Sequence, residues 1–392
     1  METRQRRWKR LLLSLLRIAA GVPIVSVWGG GMLLVIFSAT WRGRAVGLSA
    51  ATLTGAAFFA VGYWRHPWFR RVRSRVLAAV IPTGLLLYTV PMLLAPDGGR
   101  AEASARNCFL EQRTGFVRYS PGNVIPEVDQ LKVGMHLLPL SDPDMAEAAR
   151  LRSLVLPLYA EMDRDQEFRA LGSTMGSAYR ELFHFPFRTD HYFVVMPPEP
   201  RGESLPCLIF LHGMGGNMKA CLWVLAELAR NDGCVVIAPT FGFGNWDRPD
   251  GARLAVAVTR EAITTLPIDR RRIFIMGYSN GAMGVTRAAV KEPKLYRGLI
   301  YLSPVTEDEF FSSPAFSTRK ADRRVLFIHG GCDKRIPRTF VEGTAATLKH
   351  LGHDVRIRVY EEEDHYLLFS RPDAVLGDIR ELIELRATQE KK

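Results

Sequence analysis

The sequence predicts an α/β fold, a mainly parallel sheet with helices on both faces, preceded by a helical transmembrane region of three spans. Three observations carry this expectation. From about residue 190 onward, short continuous apolar runs alternate with amphipathic stretches, the pattern of strands buried on both sides. Near 18–38, 45–64 and 76–96 stand three charge-free blocks of about 20 residues, the length a helix needs to cross a bilayer. Gly277-Tyr278-Ser279-Asn280-Gly281 directly follows the apolar run Ile273–Met276 and precedes a helical pattern, so a serine is offered at a tight strand-to-helix turn.

The first 98 residues read as the membrane region. A formal charge of +12 on 392 residues first suggests a nucleic-acid partner. Its distribution removes that support: residues 1–99 hold 13 of the 52 Lys/Arg but only two of the 40 acids, Glu2 and Asp97, and the remainder is nearly balanced. Arg4, Arg6, Arg7, Lys9 and Arg10 precede the first block. Arg65, Arg70, Arg71, Arg73 and Arg75 lie between the second and third, and only Arg42 and Arg44 between the first and second. With three spans the two richer segments share a side. The positive-inside rule then predicts a cytoplasmic N-terminus and an extracytoplasmic catalytic domain, periplasmic or extracellular. A cleaved signal peptide is the competing reading of the first block, but Ser38-Ala39-Thr40 is a poor cleavage site and two apolar blocks follow. Pro23, Pro82 and Pro91 are awkward in soluble helices and tolerated in membrane spans.

Residues 99–189 read as a linker or cap-like region. Residues 101–140 show no strong periodicity, and Pro121-Gly122 and Pro126 mark loops. Asp142 is expected to cap a helix with Pro143 in its first position, and Leu151, Leu154, Val155 and Leu158 recur at helical spacing.

Residues 190–392 read as one catalytic domain. Strands are expected at His191–Met196, Leu208–Leu211, Cys234–Ala238, Ile273–Met276, Leu299–Leu302, Val325–Ile328 and Val355–Tyr360. Helices are expected at Met218–Arg230, Gly251–Leu266, Ala282–Lys291, Arg338–Leu351 and Val375–Arg386. The five cysteines contain no C-x-x-C pair, which argues against zinc or thioredoxin-like chemistry; Cys207 and Cys234 are either buried thiols or a disulfide.

The candidate chemistry lies at strand ends. Ser279 is the candidate nucleophile, a weak one until a base takes its proton. Asp333 follows the run Val325–Ile328, and His365 follows Val355–Tyr360. The order Ser…Asp…His is that of α/β-hydrolases, not of chymotrypsin-like or subtilisin-like enzymes. His329, His350 and His353 are the rival bases, and Asp308 is the rival acid. The run His212-Gly-Met-Gly-Gly-Asn217 follows the second expected strand and offers backbone amides to a tetrahedral oxyanion, assigned here to Met214 and, after the nucleophile, Asn280. His212 itself reads as a packing residue. Trp246, in the aromatic loop after Cys234–Ala238, and Tyr278 are candidates for the substrate pocket. No metal is expected.

The segments LHGMGGN, GYSNGA and GGCDKRIP, over roughly residues 190 to 387, resemble the esterase/dienelactone hydrolase and prolyl-oligopeptidase-like branches of the α/β-hydrolases. Polyhydroxybutyrate depolymerases and feruloyl esterases are also similar. The resemblance implies hydrolysis of a small-molecule carboxylic ester or amide through an acyl-enzyme, without a metal or other cofactor. A membrane-anchored carboxylesterase is the expectation. A peptidase or acyltransferase of the same fold is the enzymatic alternative, and a non-catalytic binding protein on a hydrolase scaffold the alternative of another class.

Overall fold

The computed structural model describes residues 21–60, 67–110, 118–137, 145–184, 191–199 and 203–389. It divides into two compact units: Met1–Ala95 with Val124–Ala149, and Pro96–Asn123 with Arg150–Lys392.

In the first unit, helices α1 (Gly21–Phe37), α2 (Trp41–Ala60) and α3 (Pro67–Leu93) follow one another. Small residues let the backbones touch. A Cβ on Gly31 would stand 2.8 Å from Gly47 O, and one on Gly47 2.6 Å from Gly31 O, so α1 and α2 cross where neither has a side chain. Ser49 Oγ donates to Gly84 O at 2.7 Å between α2 and α3. Helix α5 (Glu127–Leu137) caps the turn before α2: the buried Asp129 accepts the Ala39 and Thr40 N–H groups at 2.6 and 2.9 Å and the Thr40 hydroxyl at 2.5 Å. This carboxylate occupies the N-terminal end of α2, where unpaired amides and the helix dipole favour an anion. The nearby ring of His136 stacks on Phe37 at 4.2 Å.

Of the three expected spans, Ser74–Leu93 within α3 is long and apolar enough to cross a membrane among the described residues. Helix α1 is apolar but shorter, and α2 is diluted by glycine, alanine, serine, threonine and two arginines. Residues 18–20 and 61–64 of the expected spans, and the flanking Arg4 to Arg10 and Arg65, lie outside the described residues.

The second unit is built on an eight-stranded sheet of order β1-β2-β4-β3-β5-β6-β7-β8. Its strands are β1 (Ala105–Phe109), β2 (His191–Val195), β3 (Leu205–Leu211), β4 (Val235–Pro239), β5 (Ile268–Tyr278), β6 (Gly298–Leu302), β7 (Arg324–Gly330) and β8 (Asp354–Tyr360). β1 and β2 are antiparallel; from β4 to β8 every pairing is parallel. All seven residues of β3 are buried, as befits a central strand covered on both faces. The main connecting helices are α9 (Lys219–Asp232), α10 (Pro249–Thr265), α11 (Gly281–Lys291), α13 (Arg338–His350) and α15 (Pro372–Gln389), with single turns at α12 (Pro314–Ser317) and α14 (Leu367–Ser370). The strands and main helices agree with the elements expected from residue 191 onward to within a few residues at their ends.

Residues 99–189, read as a linker or cap-like region, hold one strand and several helices among the described residues. Ala105–Phe109, in the stretch without periodicity, adds the edge strand β1, because its short ARNCF run needs only β2 as partner. Pro121-Gly122, expected as loop, opens the one-turn helix α4 (Pro121–Val124). Helices α6 (Met145–Met162), α7 (Gln166–Ala170) and α8 (Met175–Leu182) follow. Asp142 and Pro143, the expected start of α6, lie outside the described residues. All five cysteines are free thiols, Cys207 and Cys234 both buried.

Candidate active site

A parallel sheet brings the carboxyl ends of its strands to one edge, and the crevice there is where open α/β sheets bind ligands. His212 follows β3, Ser279 follows β5, Asp333 follows β7, and His365 follows β8. Four sequence-distant segments thus meet at one rim.

Ser279 has φ +53°, the left-handed region that a residue with a Cβ enters at a cost of about 1–3 kcal/mol. The turn is held from both sides: Ser279 N–H donates to Leu302 O at 2.9 Å, and Ser279 O accepts from Ala282 N–H at 3.0 Å. The flanking glycines are steric necessities. A Cβ on Gly277 would overlap Gly281 and the Ala282 amide, and one on Gly281 would overlap Leu211 O. Gly213 also lies against the elbow, its virtual Cβ 3.3 Å from Ser279 Cβ. Ser279 and Asn280 lead into α11, so the positive end of the helix faces this turn.

His365 Nδ1 and Asp333 Oδ2 stand 2.7 Å apart in a buried contact. The other oxygen, Oδ1, accepts the Arg335 and Ile336 N–H groups at 2.8 and 2.9 Å. Burial raises the Asp333 pKa, but the His365 contact, the Ile336 amide and nearby His329 outweigh it and hold the carboxyl below its ordinary value. An ionised carboxylate only accepts, so His365 carries its proton on Nδ1 and leaves Nε2 as the basic nitrogen. The Tyr278 ring stacks on His365 at 5.5 Å between centroids, and its hydroxyl donates to His365 O at 2.9 Å. The residue before the serine therefore orients the imidazole loop.

The rivals sit elsewhere or otherwise engaged. His329 Nε2 contacts Ile336 O at 3.1 Å, while its Nδ1 stays 3.8 Å from Asp333. His353 is buried at the amino end of β8 against Phe316. Asp308 accepts from Thr306 and Thr344, both at 3.2 Å.

The loop 212–217 is fixed from beneath. Phe241 N–H donates to His212 Nε2 at 3.1 Å, so the imidazole proton lies on Nδ1, which donates to Gly213 O at 2.8 Å. Burial lowers the His212 pKa to about 4, which keeps the ring neutral. The amides of Met214 and Asn280 have no hydrogen-bond acceptor among the described residues. The two pocket candidates are both buried. Trp246 is fully buried and its indole N–H donates to His212 O at 2.7 Å, so it supports the loop. Tyr278 is buried and spent on His365. Among the described residues no group of His, Cys, Asp or Glu is arranged to hold a metal.

Sequence reasoning missed Arg150 and Glu181, which reach this rim from helices that precede β2 in the chain. Arg150 on α6 pairs with Asp364 and, at 3.3 Å, with Glu363, both beside His365. Neither position stands out in sequence, since isolated charges on amphipathic helices are ordinarily solvated.

Residues 253–384 match the phospholipase/carboxylesterase family model. Among solved structures, a thermostable esterase is 19% identical with a TM-score of 0.37, over 43% of this chain and 50% of its own. An acylaminoacyl peptidase of Pyrococcus horikoshii is 16% identical, TM-score 0.38, over 50% and 39%. The fluorophosphonate-binding serine hydrolase F of Staphylococcus aureus is 14% identical, TM-score 0.42, over 49% and 92%. The chain thus spans about half the length of that esterase and less of the peptidase. No curated protein sequence matches. The sheet order and the strand-to-helix turn at Ser279 have the arrangement of the α/β-hydrolase fold, and the match over residues 253–384 supports a serine hydrolase of esterase type.

Proposed function

We propose that this chain is a membrane-anchored carboxylesterase that hydrolyses small-molecule esters through an acyl-enzyme on Ser279. The observation that carries the reading is the buried 2.7 Å contact between His365 and Asp333 at the same sheet edge as a strained, strand-to-helix serine. In this mechanism His365 Nε2 takes the Ser279 proton as Oγ bonds to the ester carbon. The carbonyl oxygen becomes an oxyanion and meets the Met214 and Asn280 amides, which give up no internal acceptor among the described residues to receive it. As the tetrahedral adduct collapses, the carbon–oxygen bond to the alcohol breaks and His365 hands its proton to the departing oxygen. Water then repeats both steps on the acyl-enzyme and frees the acid. Asp333 remains ionised throughout, holding the imidazole tautomer and balancing its transient charge.

The anchor in this reading consists of three N-terminal spans with the N-terminus cytoplasmic and residues 99–392 outside. Its support is the apolar Ser74–Leu93 helix, the apolar α1 and the arginine distribution. Leu85, Leu86 and Val90 are exposed on α3, as lipid contact requires.

The test is release of p-nitrophenol from short acyl esters with fluorophosphonate labelling of Ser279. Both activities should vanish in Ser279→Ala. A folded wild type that neither labels nor turns over esters would reject the enzyme in favour of a binding protein.

A further inference from the structure

Glu181 lies on α8, ahead of the catalytic strands, yet its carboxylate ends against the loop that follows β4. Oε2 accepts the Phe243 N–H at 2.5 Å; Oε1 accepts from Asn245 Nδ2 at 2.7 Å and pairs with Arg248 Nη1 at 2.8 Å. Gly242 has φ +46°, and a Cβ there would overlap the carboxylate. The loop is thus shaped around an acceptor supplied from outside.

The other side of this loop is pressed on the candidate oxyanion segment. Phe241 N–H and the Trp246 indole both bind His212, and Phe243 O accepts the Gly215 N–H at 2.9 Å. A Cβ on Gly244 would overlap Gly213 O and stand 3.2 Å from Met214 Cα. Residues 241–246 therefore form a thin strip, with Glu181 on one face and residues 212–215 on the other. Thr174, the residue before α8, also touches the 212–217 loop, its Oγ1 donating to Asn217 O at 2.9 Å.

We propose that Glu181 is a positioning residue for the oxyanion site, clamping residues 241–246 so that the Met214 amide keeps its direction. The proposal rests on the hydrolase reading given above. An acceptor-only carboxylate matches a loop that presents donors, and oxyanion stabilisation depends on amides fixed before reaction begins. The pair with Arg248 is not the source of the effect, since the guanidinium is solvent-exposed and such an ion pair contributes little.

The test compares full-length wild type with Glu181→Ala, Glu181→Gln and Arg248→Ala, with kcat normalised to fluorophosphonate-labelled Ser279. Misplacing a catalytic group by about 1 Å lowers the rate by about 100-fold. Glu181→Ala should therefore lose roughly 10- to 100-fold in kcat per labelled site, with KM changed by less than about threefold. Affinity for a boronic acid, whose tetrahedral adduct uses the same amides, should fall by a similar factor. Glu181→Gln keeps a carbonyl for Phe243 N–H but turns an NH2 toward Asn245 Nδ2 and Arg248, so its rate should lie between Glu181→Ala and wild type; Arg248→Ala should stay near wild type. Unchanged kcat per labelled site, or a loss confined to KM, overturns the proposal. Hydrogen exchange at the Gly215 amide reads the clamp without turnover. It should quicken at least about tenfold in Glu181→Ala. Unchanged exchange overturns the clamp, whereas an inactive wild type counts against the hydrolase reading alone.

Discussion

Asp333→Asn offers a sharp perturbation because the surroundings of Asp333 dictate how the new amide must lie. Oδ1 accepts two backbone N–H groups, from Arg335 and Ile336, and Oδ2 faces His365 Nδ1. Asparagine is nearly isosteric and has one acceptor end and one donor end. Turning its NH2 toward the two amides would leave both unpaired in a buried place, at about 1–3 kcal/mol each. The oxygen therefore stays with the amides and the NH2 points at His365. Nδ1 must then accept, the ring proton moves to Nε2, and in the proposed mechanism Nε2 can no longer take the Ser279 proton. The wrong tautomer lowers kcat by about 10⁴, or about 5 kcal/mol of transition-state stabilisation. The assay is p-nitrophenyl butyrate hydrolysis at about pH 7.5, with circular dichroism to confirm the fold. Asp308→Asn serves as control and should stay near wild type. Asp333→Asn activity within tenfold of wild type would refute the assignment, as would a larger loss in Asp308→Asn.

Gly281→Ala puts a methyl group against Leu211 O, 2.8 Å from Leu211 C and 3.0 Å from His212 O, all backbone that cannot rotate away. It should cost about 1–3 kcal/mol in a urea melt and depress kcat by displacing the oxyanion segment; an unaffected variant would contradict this packing. Acid should destabilise the domain before its carboxylates titrate. The folded His212 pKa of about 4 lies below the unfolded value of about 6.5, so the unfolded chain binds the extra proton between them. That contribution is fully present above about pH 6.5 and fades as pH falls to about 4, on the order of 3 kcal/mol. Asp333, with its lowered pKa, adds a loss of the same sign further down, as pH falls through its folded value. Urea midpoints flat between about pH 7 and about 4.5 would contradict the burial of a neutral His212. Asp129→Ala removes the carboxylate that caps α2 and should destabilise the N-terminal unit in detergent by about 2–3 kcal/mol, seen as a lower melting temperature.

The legible parts of this chain are those governed by local rules. Val325–Ile328 and Leu299–Leu302 announce buried parallel strands because both faces must be apolar, and Gly277 and Gly281 mark a turn too tight for side chains. Ser279, Asp333 and His365 are legible as candidates because a parallel sheet sends each strand's carboxyl end to the same rim. The setting of Trp246 is not legible in the same way: aromatic character gives no direction, and its indole N–H turns inward to His212 O. The edge strand Ala105–Phe109 carries no periodic signal, since pairing with His191–Val195 decides it and sequence separation hides that partner.

By itself, then, the sequence pointed to an α/β-hydrolase fold behind an arginine-flanked apolar region, and to where along the chain its candidate serine, acid and base lie. Only the tertiary structure decided which oxygen of Asp333 faces His365, which tautomer His212 holds, and that Arg150 and Glu181 reach the site loops. Periodicity and turn chemistry act over a few neighbouring residues, whereas the His212–Phe241 and Asp333–His365 contacts join positions 29 and 32 apart, and those of Glu181 and Arg150 join positions 62 to 213 apart. Their geometry exists only once the sheet edge has assembled.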